Sequence, residues 1–152
     1  MTPTAAPSFD MLMRMRKSHL IHFAIERPVD EVYSFLANPM NYPKWAAVDG
    51  PMIEIAASEW SIQTPFGQRI VRFSEPNTFG VLDHAVFAES EEPVVMPMRV
   101  AANGDGTELT FIFYQRDTMA DEQFESTIEW VRTDLLTLRS LLETPVIGPK
   151  KL

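Results

Sequence analysis

Apolar and polar residues alternate from His19 to Ile25, with Ile21, Phe23 and Ile25 on one face and Leu20, His22 and Ala24 on the other. A period of two is the mark of a strand. Pro28 follows where a first helical turn tolerates it. Val29, Val32, Phe35 and Leu36 then recur at helical spacing, predicting a short amphipathic helix over 29–37 that Asn38-Pro39 breaks. Met40 to Trp45 reads as a second short helix or turn carrying Tyr42 and Trp45. Beyond it, short segments rich in β-branched and aromatic residues alternate with turn signals, predicting strands near 51–57, 58–64, 68–75, 79–89, 93–102 and 107–116. The intervening turns are Pro65-Phe66-Gly67, Glu75-Pro76-Asn77, Glu91-Glu92-Pro93 and Asn103-Gly104-Asp105-Gly106, the last being the strongest hairpin signal in the chain.

The period changes once more near the C-terminus. Phe124, Ile128, Val131, Leu135, Leu138 and Leu142 repeat in steps of three and four, one apolar stripe on a helix of ~24 residues, about 36 Å long. Thr118 and Asp121 resemble a capping box with Asp in place of Glu. Asp121, Glu122 and Glu125 suit the positive end of the helix dipole, and Thr144-Pro145 ends the pattern. A long helix with one apolar stripe needs a broad partner, and the only one available is the face of the sheet. The expected class is α+β: a seven-stranded, curved antiparallel sheet wrapped around a long C-terminal helix, with two short helices after the first strand. Such a sheet cannot pack tightly along the whole helix, so part of the enclosed volume is expected to be cavity. The domain is expected over 18–144, with tails at 1–17 and 145–152. Met11, Leu12, Met13 and Met15 could form an amphipathic turn within the first tail, against the plainer reading of a frayed terminus.

Composition narrows the function classes. With 152 residues the chain fits one domain. Acidic residues outnumber basic ones 21 to 13, giving a net charge of -8 that repels phosphate backbones, so nucleic-acid binding is not expected. The absence of cysteine removes disulfides, thiolate metal sites and Cys nucleophiles together. No run approaches the ~18 apolar residues of a membrane span, and no apolar signal core follows a basic start. A cytoplasmic protein without cofactor is the expectation.

The strand-Pro-helix opening Phe23-Ala24-Ile25-Glu26-Arg27-Pro28-Val29-Asp30-Glu31-Val32-Tyr33, the segment Asn41-Tyr42-Pro43-Lys44-Trp45 and the closing amphipathic helix resemble the polyketide cyclase/dehydrase and START-like (SRPBCC) superfamily, the helix-grip fold shared with Bet v 1-type proteins. The resemblance spans roughly 19–143. It implies a fold and a hydrophobic ligand cavity; it implies no single reaction, because ligand carriers, cyclases, ring-hydroxylase subunits and chaperone regulators share this scaffold.

Alternation assigns sheet faces. It turns Val71, Phe73, Leu82, His84, Val86, Met96, Met98, Leu109, Phe111, Phe113 and Gln115 inward, and Arg72, Asp83, Arg99, Ile112 and Tyr114 outward. The outer charges read as cross-strand pairs. His84 is the residue with chemistry: an imidazole among apolar neighbours must find a partner, either a backbone carbonyl or Gln115, or else hold a ligand or move a proton. His19 and His22 point to opposite faces and cannot share a metal ion. No glycine-flanked serine and no phosphate loop is present. The expected cavity wall is Trp60, Phe73, His84, Met96, Met98, Phe111, Phe113 and Gln115, with Tyr42 and Trp45 near the mouth. Three functions follow: binding of a small hydrophobic, aromatic or polyketide-like molecule; a cyclase or dehydratase using His84 as acid/base; and a dimerising or partner-binding module using the acidic surface or an apolar outer strand such as Ile112 and Tyr114.

Overall fold

A computed structural model describes residues 14–145. The tail residues 1–13 and 146–152, and with them the turn expected at Met11 to Met13, lie outside the described residues; Met15 is exposed. The elements run β1 (Ser18–Ile25), α1 (Val29–Ala37), a 3-10 turn (Pro39–Asn41), α2 (Tyr42–Trp45), β2 (Ile53–Ala56), β3 (Glu59–Thr64), β4 (Gly67–Phe73), β5 (His84–Phe87), β6 (Met98–Asn103), β7 (Gly106–Tyr114) and α3 (Asp121–Glu143). The class is α+β with a helix-grip arrangement, as the residue pattern predicts.

All strand pairs are antiparallel and form two ladders, β2-β3-β4-β5 and β1-β7-β6. They meet along a seam. Isolated bridges join Val81 to Arg99 and His84 to Met96, and Leu82 N–H donates to the Met98 carbonyl at 2.8 Å while Val100 N–H donates to that of Gly80 at 3.0 Å. The strands expected over 79–89 and 93–102 shrink to 84–87 and 98–103 at this seam. Pro97 has no N–H to give to a ladder, and the Met98 N–H is taken by the Asp83 carboxylate at 2.9 Å instead of a carbonyl. The same carboxylate accepts both Nε and Nη2 of Arg99 at 2.9 Å. Arg72 pairs with Glu59 across β3 and β4 at 2.6 Å. The outer charges are therefore cross-strand pairs, although Arg72 and Asp83 do not meet.

The stripe on α3 is buried as its spacing requires: Phe124, Ile128, Leu135 and Leu138 are enclosed and Val131 and Leu142 half-buried. They close a core with Ile25, Val32, Val71 and Leu109, each fully removed from solvent. The capping box is not formed. Ala120 is the residue before the helix and provides no side-chain cap, because Thr118 turns its hydroxyl to Glu91 at 3.0 Å. Gln115 does the work of tethering this end, donating to the Met119 carbonyl and to Asp121, both at 2.9 Å.

Candidate functional site

Beneath α3 the helix and sheet part to leave a cavity of about 180 Å³. Its floor is sheet: Ile62 on β3, Val86 on β5, Met96 in the seam, Phe111 and Phe113 on β7. Its roof is Val131 and Leu135 of α3, and Tyr42 and Trp45 of α2 close one side. A second space of about 20 Å³, enough for one water, lies behind it among Phe73, Leu82 and Met98 and shares Tyr42, Trp45 and His84 with the first. At the opening, Phe66 from the β3–β4 turn meets Trp130 of α3 edge to face, ring centres 5.9 Å apart. Both rings are partly exposed.

His84 stands between the two spaces. Its ring is 5.8 Å from Phe111 and 6.3 Å from Phe73, with Tyr42 edge-on at 6.2 Å. Nδ1 lies 3.0 Å from the Leu82 carbonyl. A carbonyl can only accept, so Nδ1 carries the proton and Nε2 keeps its lone pair. Burial pulls the imidazole pKa below its usual value, against the smaller opposing effects of the Leu82 carbonyl and Asp83. The ring is thus neutral near pH 7, and Nε2 has no hydrogen-bond partner among the described residues: a single acceptor presented inside an apolar enclosure.

Asp134 is the second polar group, set in the wall by α3. Burial pushes its carboxyl up to about 6, against the pull of the Ala47 N–H that it accepts at 3.3 Å. Burial, and then the Asp134 charge, push the Tyr42 hydroxyl above its ordinary range. Arg69 of β4 and Arg116, just past β7, reach the wall at the other end, beside Gln123 and Thr127 of α3. The sequence reading missed all three ionisable groups. Asp134 sits four residues before Leu138 and three after Val131, which puts it on the buried side of the helix; that spacing was available as a signal. Arg69, two residues before inward Val71, had the same kind of signal; Arg116 would face outward in the strand expected over 107–116, but β7 ends at Tyr114.

Of the ten residues expected to line a cavity, Tyr42, Trp45, His84, Met96, Phe111 and Phe113 border the larger space, and Phe73 and Met98 the smaller. Two do not. Trp60 shares a face with Ile62 but stands one pleat too far along β3, opposite Val71. Gln115 is bonded to the start of α3 rather than to His84 or the cavity. His19 approaches Arg132 and His22 binds Glu108 at 2.8 Å; among the described residues no three His, Asp or Glu side chains gather as metal ligands.

No protein-family model matches the chain, and no curated protein matches it in sequence. Solved structures do match. A START superfamily protein from Mycobacterium smegmatis superposes with a TM-score of 0.66 at 11% identity, over 83% of this chain and 97% of that one. The fold is START-like. CalU16 from Micromonospora echinospora shares this START-like fold, with a TM-score of 0.62 at 19% identity over 87% and 78% of the two chains. So does the dimeric Aha1 from Colwellia psychrerythraea, with 0.65 at 14% over 84% and 96%. At these identities the likeness concerns architecture alone. None of the described helices is long and apolar enough to cross a membrane.

Proposed function

We propose that this protein binds a small hydrophobic molecule in the cavity beneath α3. The observation that carries the reading is the cavity itself: about 180 Å³ with a mainly apolar lining, next to a neutral imidazole with one acceptor that has no partner among the described residues. Ligand sites are commonly apolar hollows with a few placed polar groups. An apolar cavity of roughly 150 Å³ accepts benzene, so the size fits one aromatic ring with a substituent better than a fused polyketide. Met96 gives the wall some adaptability. Thermal-shift titration and native mass spectrometry with monocyclic aromatics test this. Ring-sized compounds should stabilise the fold and appear as one-to-one complexes; a panel that binds no better than it does to a Val86→Trp variant refutes it.

His84 favours a second reading, a cyclase or dehydratase in which Nε2 takes a proton from the bound substrate. The tautomer and lowered pKa suit a base, not an acid, at the start of such a step. His84→Gln should abolish turnover while leaving ring-sized ligands bound; unchanged turnover removes the reading. A homodimer is the third reading, supported by the dimeric Aha1 that shares the fold. Light scattering across a concentration series decides it, and a strict monomer ends it.

A further inference from the structure

We infer that the cavity is built for an acid: a ring-sized apolar body against Phe111, Phe113 and Met96, with its carboxylate at Arg116 and Arg69. The inference deepens the container reading and rests on it.

The Arg116 side chain is largely buried, 18% exposed. Its Nη1 donates to the Val86 carbonyl at 2.9 Å, and its Nε, like that of Arg27, is enclosed without a hydrogen-bond partner among the described residues. Arg99 shows what that edge of a guanidinium is for, since it grips Asp83 through Nε and Nη2 together. The matching edge of Arg116 has no hydrogen-bond partner among the described residues. A buried donor on a charged group is costly to leave unpaired, and a planar carboxylate is the acceptor whose shape fits the fork.

Three carboxylates lie at this end. Asp117 and Asp121 share a groove with Arg116, Arg14, Arg16 and Lys17, where Asp117 pairs with Arg16 at 3.1 Å and Asp121 accepts from Gln115 at 2.9 Å. Glu91 is 3.9 Å from Arg116 Nη1, and it is already engaged by the Ala88 N–H and the Thr118 hydroxyl, each at 3.0 Å. Burial would raise its pKa, but these two donors and the charges of Arg116 and Arg69 together hold it below the usual range. It therefore cancels one of the two arginines and leaves the other. Among the described residues Arg69 bonds to backbone alone, the Gln68 carbonyl at 2.8 Å. Asp134, which would repel an anion, lies eleven residues along α3 from Gln123, about 16 Å away along the helix axis. The cavity wall thus carries two cations, Arg116 and Arg69, both close enough to act on Glu91, and one carboxyl, Asp134, tied to Ala47, among apolar side chains. In a chain of net charge -8, a locally positive pocket wall is not a by-product of composition.

Benzoate, its neutral isostere benzamide and benzyl alcohol, titrated at neutral pH and low salt by calorimetry or ligand-observed NMR, test the inference. Benzoate should bind at least about tenfold more tightly than benzamide, as one charge-assisted pairing requires. Arg116→Met, checked for folding by circular dichroism, should bring the two to near parity, and Arg69→Met should narrow the gap by itself if Arg116→Met does not fold. Benzamide binding as well as benzoate in the natural protein overturns the inference, as does a preference that survives loss of both arginines. Benzyl alcohol tells the two failures apart. If it binds and benzoate does not, the acid end alone is wrong; if none of the three binds, the container reading fails and takes this inference with it.

Discussion

A carboxylate inside a mainly apolar wall is the residue with the clearest thermodynamic signature. In the unfolded chain Asp134 titrates at its ordinary 3.8, in the folded protein at about 6. The folded state therefore holds this proton more tightly. The site's contribution to stability is full below 3.8 and is lost as pH rises through about 6. Asp134→Asn keeps an acceptor for the Ala47 N–H and removes the titration, so at neutral pH, with the shift discounted for the partial exposure of the carboxyl, it should stabilise the fold by on the order of 1 kcal/mol. Urea denaturation at several pH values should show that advantage shrinking to nothing below pH ~4, where the natural carboxyl is protonated in both states. Asp83 has the opposite sign: its bond from Arg99 lowers its pKa against the effect of burial, so its contribution is present above the unfolded value and disappears on acidification. Backbone geometry gives another test at this scale. Gly80 has a φ of +72°, and a Cβ there would sit 2.1 Å from the Val100 carbonyl oxygen. Gly80→Ala should cost about 2–4 kcal/mol in chemical denaturation, from strain and forced separation of the backbones.

Among the elements, α3 carries both the core and the roof of the cavity. Leu138 is fully enclosed, and Leu138→Ala should cost about 2–5 kcal/mol of unfolding free energy. Phe66, more than half exposed at the tip of the β3–β4 hairpin, belongs to the entrance instead. Phe66→Ala should change stability by less than about 0.5 kcal/mol yet speed both entry and exit of a ring-sized ligand, read by stopped-flow quenching of Trp130. These elements were the most legible part of the sequence, for a physical reason. Period two and period 3.6 are consequences of burying one face, so Ile21, Phe23 and Ile25 announce β1 and the stripe from Phe124 to Leu142 announces α3. What alternation could not deliver was anything decided by a single competing hydrogen bond. Thr118 went to Glu91 instead of capping α3, Asp83 took a ladder position from a carbonyl, and Gln115 left the inner face to tether a helix. Of the cavity's polar groups, Asp134 and Arg69 fall within the periods of α3 and β4, whereas Arg116 lies past the last residue of β7.

At the scale of the whole molecule, a hollow fold is stabilised by whatever fills it. A ligand present at a hundred times its dissociation constant adds about 2.7 kcal/mol, so the melting temperature should rise with the concentration of a ring-sized binder and stay level with a fused four-ring compound. A rise with the larger compound would mean that the walls yield further than about 180 Å³.

Among the described residues the backbone bonds between the two ladders run along 80–84 and 96–100, and His84 lies on that line. The molecule is in this respect a book with a stitched spine: its pages are hairpins, and the binding is a few backbone bonds and one Asp83 clasp. Amide exchange at Leu82, His84 and Met96 should thus be faster than in β7, and an occupant gripping Nε2 of His84 should slow it, so the spine itself reports whether anything is kept inside.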